Sequence, residues 1–180
     1  MKRGGFINTF FSLKKKISIL SLFFLILIFD QLSKAMIQKY IPIEGTRIHV
    51  LGNFFNLVYI KNPYGAMGMR YGPPWLHMVT AALATLIVGF FFFKHWINGK
   101  ERNMLSYVGM VMVLSGAVGN LIDKIFRGFV VDFIDIGFST HRFWSFNIAD
   151  SAITIGAVLW IIPSIIPSKK SGEHCEEKVE

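Results

Sequence analysis

Five aspartates are the residues of this sequence whose type and placement suit chemistry: Asp30, Asp123, Asp132, Asp135 and Asp150. Each stands at or beyond the same end of a long apolar block. Two follow an asparagine by three residues, Asn120 before Asp123 and Asn147 before Asp150. On a helix that spacing puts both side chains on one face. Two carboxylates held close cannot both ionise readily, so they share a proton. The ionised member then takes a proton from water, and the protonated member donates to the carbonyl oxygen of an amide. Such a pair hydrolyses a peptide bond without a metal and titrates as a unit.

A carboxylate beside hydrocarbon costs roughly 2.5–3.5 kcal/mol on insertion scales, so each aspartate needs a reason. One reason is structural: pairing with Lys124, Arg127 and Arg142 to hold a loop. That reading is favoured for Asp123, which neighbours Lys124 and Arg127, and for Asp135. The acid–base reading is favoured for Asp132 and Asp150. Other chemistries find little support. The histidines His49, His77, His95, His141 and His174 are scattered, with no His-Glu-x-x-His run and no His/Cys cluster. There is no Gly-x-Ser-x-Gly elbow and no glycine-rich phosphate loop. The single cysteine, Cys175, lies in a charged tail without a base and rules out an intrachain disulfide.

The elements that must position these groups are apolar. Of 180 residues, 53% are hydrophobic and 18 are Phe; the mean hydropathy of +0.49 is too high for an ordinary soluble domain. The apolar residues form four blocks, near Ile17–Ile37, Trp75–Phe93, Met104–Ile125 and Phe146–Ile166, each long enough to cross a bilayer. The fold class expected is a mainly α membrane protein of four transmembrane helices. The first block follows three lysines, as a signal peptide would. No Ala-x-Ala site succeeds it, and an uncleaved helix is expected. The net charge of +8 is read through the positive-inside rule and not as a nucleic-acid surface. With the N-terminus inside, eleven basic residues fall inside and eight outside, giving N-in and C-in. Two outer loops result, about 38–74 and 126–145. The first holds two candidate strands, Arg47–Leu51 and Asn53–Ile60, joined at Gly52-Asn53, and a small sheet on the membrane is expected. Its glycines Gly52, Gly65, Gly68 and Gly72, with the aromatics Phe54, Phe55, Tyr59 and Tyr64, suggest an amphipathic surface that closes over a substrate. The second loop is expected to lie partly buried at the interface. Residues 1–166 read as one domain and 167–180 as a charged, disordered cytoplasmic tail.

The ordered set Asp30-Gln31-x-Ser33-Lys34, Asn62 with Gly65-Ala66, Gly119-Asn120-x-x-Asp123, Gly128-x-Val130-Val131-Asp132-Phe133 and Phe146-Asn147-x-Ala149-Asp150 closely resembles lipoprotein signal peptidase, also called signal peptidase II. The resemblance covers roughly Ile17 to Ile166. It implies a bacterial inner-membrane aspartyl endopeptidase that removes signal peptides from diacylglyceryl-modified prolipoproteins, cutting just before the lipidated cysteine. It implies Asp132 and Asp150 as the catalytic pair near the outer face, with Asp30, Lys34, Asn62, Asn120, Asp123 and Asn147 in support. No cofactor or metal, a small outer sheet cradling the site and sensitivity to the cyclic peptide globomycin are implied as well. Expected partners are lipid-modified prolipoproteins and membrane lipids, with no nucleic acid, and the chain is expected to be a monomer. Two departures stand out: Lys124 where the family usually has Arg, and Asn62-Pro63-Tyr64-Gly65-Ala66-Met67 where it usually has Asn-x-Gly-x-Ala-Phe. The alternative is a small proton- or cation-coupled transporter subunit, which would want ionisable groups near the midplane.

Overall fold

The computed structural model of the chain describes residues 3–65, 68–98, 104–138 and 141–165. Ala66 and Met67, and the tail 167–180 with Cys175, lie outside the described residues. Helix α1 (Arg3–Tyr40) ends just before Ile41-Pro42, where the proline disfavours a helical residue ahead of it. Helix α2 (Pro74–Asn98) opens with Pro74 at its first position, whose missing N–H costs the helix nothing there. Helix α3 (Met104–Arg127) stops at Gly128, which takes φ +78° and donates its N–H to Lys124 O at 3.2 Å. Helix α4 (Ile148–Ile165) begins two residues after the expected Phe146. Phe146 is instead bridged to Ile134. By length and composition α1, α2 and α3 can cross a membrane, and α4 is a shorter apolar helix, Ile148–Pro163, where the block pattern predicted a fourth full span.

Helix α4 packs chiefly on α3, and the contact is made by glycines. A Cβ on Gly116 would stand 2.4 Å from Ala149 O, one on Gly109 2.5 Å from Trp160 N, and one on Gly156 2.7 Å from Gly109 O. In a bilayer the neighbouring lipid is as apolar as any side chain, so helices associate through such close backbone approach. Gly116 and Gly119 are legible in the sequence as a small-residue face. Gly109 and Gly156 become recognisable only once the two helices are paired.

The outer segments form one antiparallel sheet in the order β1 (Arg47–Leu51), β2 (Phe55–Asn62), β3 (Val130–Phe138), β4 (His141–Arg142). The hairpin expected in the first loop is present. The second loop differs from its expectation: it does not merely rest at the interface but supplies β3, the partner of β2. Val130, Val131, Asp132 and Phe133 are all buried, so the first half of the strand shows no alternation from which to read it. Tyr59 also departs from the surface role expected of it. It is buried with Ile37, Ile41, Val131 and Phe133 in the apolar core that joins the sheet to α1. Asp135 holds the sheet's far end, receiving Arg142 Nε at 2.7 Å, Arg47 Nε at 2.8 Å and Asn56 Nδ2 at 3.3 Å. The structural role expected for it is the one its contacts describe.

Because a methyl on Gly116 would meet the Ala149 backbone as well as Ile153 Cγ1, and the backbone cannot turn aside, Gly116→Ala should lower the unfolding temperature in detergent and release α4 from α3. Gly89→Ala is the control: its Cβ would meet only Leu114 Cδ1 at 3.8 Å. Its unfolding temperature should equal or exceed that of the parent, and equal melting of both variants would contradict the packing account.

Candidate active site

The site is assembled where α4 begins. Asn147 is the cap residue of that helix and Asp150 its third position. Asn147 Oδ1 accepts the Asp150 N–H at 2.9 Å, and Asp150 Oδ2 accepts the Asn147 N–H at 3.2 Å. This reciprocal capping box satisfies two backbone donors that a helix start otherwise leaves open. A third, the N–H of Ala149, is taken by Asp30 Oδ1 of α1 at 2.9 Å. Negative charge at a helix N-terminus is favourable, so the local physics of α4 itself demands carboxylates here.

Asp30 belongs to a buried charged network. Lys34, one turn along α1, is fully buried; its Nζ lies 2.8 Å from Asp30 Oδ2, 2.9 Å from Asp123 Oδ2 and 3.0 Å from Asn120 Oδ1. Asp123, also fully buried, accepts in addition from the Arg127 guanidinium, from Gln31 Nε2 at 3.1 Å and from the Val131 N–H of β3 at 3.2 Å. The structural role expected for Asp123 is consistent with these contacts, but its partners are Arg127 and Lys34. Lys124, expected to pair with it, turns its Nζ to Tyr64 O at 2.6 Å and Pro63 O at 3.5 Å. Lys124 thereby ties the first outer loop to α3, and Arg127 supplies the planar fork to Asp123. Gly119 makes room for all of this, since a Cβ there would sit 2.7 Å from Asp30 Oδ2.

Asp132 enters from β3. Pairing of β2 with β3 sets Asn62 opposite Val130, diagonal to Asp132 on the same face, and Asn62 Nδ2 donates to Asp132 Oδ2 at 3.0 Å. On the other side, Phe133 and Ile134 N–H both bond Phe146 O, at 3.0 and 2.8 Å. That bridge delivers Asn147, whose Nδ2 donates to Asp132 Oδ1 at 2.8 Å. Asn120 Nδ2 reaches Asp150 Oδ1, also at 2.8 Å. Both carboxylates line one cleft of about 730 Å³, together with Asn62, Asn120 and Lys124. Burial, and then the charge of Asp150, push the Asp132 carboxyl up from 3.8 to about 7, against the hydrogen bonds from Asn62 and Asn147 and the Lys34 ammonium. Asp135 goes the other way. Burial works to raise it, but Arg142, Arg47 and Asn56 together hold it below the ordinary carboxylate range.

The structure thus brings Asp30, Lys34, Asn62, Asn120, Asp123, Asp132, Asn147 and Asp150 into one connected set. The sequence presents Lys124 and Arg127 only as charge partners of Asp123 and assigns Gln31 and His77 no role. Gln31 sits inside the quoted Asp-Gln-x-Ser-Lys run, a signal that could have found it, and the position of Arg127 four residues after Asp123 on one helix face is what favours it over Lys124. Among the described residues no group of three or more His, Cys, Asp or Glu side chains is arranged to hold a metal.

Two stability outcomes follow. Lys34→Met leaves Asp30 and Asp123 without their ammonium and should cost on the order of 3–5 kcal/mol, read as a lower unfolding temperature; Asp123→Asn should also lower it. Asp132, whose folded value lies above its unfolded one, binds its proton more tightly when native. Its contribution is therefore whole below the ordinary carboxylate range and is lost as pH rises through about 7. The Asp132→Asn protein should lose less melting temperature than the parent between about pH 5 and about pH 8. Parallel curves would show that Asp132 carries no raised value.

Comparison with known proteins agrees with the geometry. The family described as Signal peptidase (SPase) II matches residues 22–166. A lipoprotein signal peptidase from Fusobacterium nucleatum is 36% identical over 151 residues, 83% of this chain and 87% of that protein. Another from Burkholderia cenocepacia is 40% identical over 141 residues, 76% of this chain and 81% of that protein. A solved structure titled as a bacterial membrane enzyme, determined in meso at 2.3 Å, superposes with a TM-score of 0.72 at 30% identity, covering 91% of this chain and 94% of that one. The transporter alternative receives no support from these likenesses. With three helices fit to span a bilayer and this match across most of its length, the chain belongs to the signal peptidase II family of bacterial membrane peptidases.

Proposed function

We propose that the chain removes signal peptides from diacylglyceryl-modified prolipoproteins, cutting before the lipidated cysteine with Asp132 and Asp150 as an aspartic pair. The observation that carries this reading is the pair itself: two carboxylates on one cleft, each fixed by asparagine donors, one of them pushed up to about 7 by burial and by the other's charge. Near neutrality such a pair retains one proton. The ionised carboxylate takes a proton from a water molecule as that water attacks the scissile carbonyl. The protonated one donates to the carbonyl oxygen, and the proton then passes to the leaving amine. No metal is required by these steps. Asn62, Asn120 and Asn147 hold the carboxylates in place, and Asp30, Lys34 and Asp123 hold the asparagines and the helices that bear them.

The charge distribution supports an N-in, C-in arrangement in the bacterial inner membrane, with the cleft near the outer face. At that level a substrate can present its peptide while its acyl chains stay in lipid. The reading includes a monomeric enzyme with membrane lipids around it and no nucleic-acid partner.

Purified protein should cleave a synthetic lipopeptide in the presence of a chelator. Asp132→Asn and Asp150→Asn should each lower turnover by at least about 10³-fold, within the range positioned acid–base groups contribute, with membrane insertion intact. Activity should also fall as pH rises through about 7, as the shared proton leaves. Full turnover in either variant would remove that residue from catalysis, and loss of activity on chelation would remove the metal-free mechanism.

A further inference from the structure

One wall of the cleft that both aspartates line is a face of α2. His77, Thr80, Ala81, Ala84 and Thr85 all line it, at the spacing of a single helix stripe. After His77 every member is small, so no long side chain of this stripe fills the cleft. The hydroxyls on this face are used: Thr80 Oγ1 lies 3.1 Å from His77 O and 3.2 Å from the Tyr71 hydroxyl, and Thr85 Oγ1 donates to Ala81 O at 2.7 Å. His77 is different. It is only 1% exposed, and neither ring nitrogen has a hydrogen-bond partner among the described residues. Buried polar groups are almost always paired, and one that is not calls for a functional explanation.

The ring is held firmly for a group with no hydrogen bond of its own. Tyr71 packs on it at 4.0 Å between centroids and Tyr64 meets it edge-on at 5.6 Å. Nδ1 lies against Gly65, where an added Cβ would come within 3.4 Å. Gly65 O in turn accepts from Asn62 Nδ2, the group that also bonds Asp132. His77 therefore stands beside the loop that carries one of Asp132's hydrogen-bond donors, facing the cleft both aspartates share. An imidazole ring carries at least one N–H donor, which a carbonyl oxygen can accept.

We propose that His77 is a substrate-binding residue whose ring N–H, covered in the free protein beside Tyr64, Tyr71 and Gly65, is uncovered as the lipopeptide enters and donates to one of its carbonyl oxygens, positioning the chain along α2 while the scissile bond lies at Asp132 and Asp150. This rests on the peptidase reading above and adds a specificity contact on one wall of the cleft that holds the reacting groups. The carbonyl is either a peptide carbonyl or an ester carbonyl of the diacylglyceryl group, both of the same hydrogen-bonding chemistry.

The test compares His77→Phe, which keeps the ring contacts and removes the donor, with His77→Gln, which keeps an amide donor. Each is assayed on a fluorogenic lipopeptide, and binding is measured directly for that lipopeptide and for the same peptide with an unmodified cysteine. The Phe variant should raise KM and weaken binding on the order of five- to tenfold, with kcat little changed and the unfolding temperature equal or higher. The Gln variant should stay within about twofold of the parent. Weakening of both ligands assigns the oxygen to the peptide backbone, and weakening of the lipidated one alone assigns it to the ester. Unchanged KM and binding in the Phe variant overturn the proposal, whatever happens to kcat. A fall in its unfolding temperature also overturns it, because His77 would then be a packing residue. Failure of the peptidase reading would look different: the parent protein would not cleave the lipopeptide at all.

Discussion

Lys34 is fully buried, and an ammonium in that position must place three N–H groups on protein acceptors. It does so with Asp30, Asp123 and Asn120. Much of the molecule hangs on that choice. Asp30 uses its remaining oxygen to cap α4 at Ala149; Asp123 accepts the Val131 N–H of β3 on the oxygen that faces Lys34 and receives Arg127 on the other. One cation thus binds α1 and α3 directly and fixes the start of α4 and the start of β3 through its two carboxylates. Burying such charges is expensive unless every one is matched, and here the matching is what sets the register of the elements.

The same cation orients one of the amides that meet the aspartates, and backbone N–H groups orient the other two. An ammonium can only donate, so Asn120 must turn its oxygen to Lys34, which leaves its NH2 for Asp150. Asn147 must turn its oxygen to the Asp150 N–H, leaving its NH2 for Asp132. Asn62 accepts the Tyr64 N–H and offers its NH2 to the other Asp132 oxygen. In each case a group that cannot reverse its polarity decides which way the asparagine faces. The carboxylates therefore sit among donors whose directions are set before any substrate arrives, the condition under which preorganised polar groups act without reorganisation.

Asp132 and Asp150 differ in how they reach the cleft. Asp150 belongs to a helix capping box and would be favourable there with no catalytic duty at all. Asp132 has no such local reason. It lies in a strand buried on both sides, next to a second carboxylate, and its raised value reflects that position. A group kept at a cost to the folded state, in a cleft, is the one whose placement asks for a functional account. Asp135, three residues on in the same strand, shows the contrast: two arginines and Asn56 stabilise it in its charged form.

By itself the sequence determined a good deal. Long apolar blocks must become helices, because only intrahelical bonding satisfies a backbone in hydrocarbon. The Gly52-Asn53 turn marks the β1–β2 hairpin, Pro73-Pro74 marks the start of α2, and the spaced Asn/Asp motifs mark the polar site. Local chemistry suffices for each of these. Tertiary structure decided what depends on neighbours distant in the chain. The stretch 130–133 carries no strand period because successive side chains are all buried, so only pairing with β2 and the bridge to Phe146 reveals it. Lys124 and Arg127 are equivalent candidates for Asp123 in the sequence, and the helix turn between them assigns one to the carboxylate and the other to the loop carbonyls. Tyr59 passes from expected surface to core for the same reason. His77 is one histidine among five until folding buries it in the cleft wall with neither nitrogen hydrogen-bonded among the described residues. Spacing along a chain states which groups can share a face; which face meets which is settled by packing, and the polar partners follow from that.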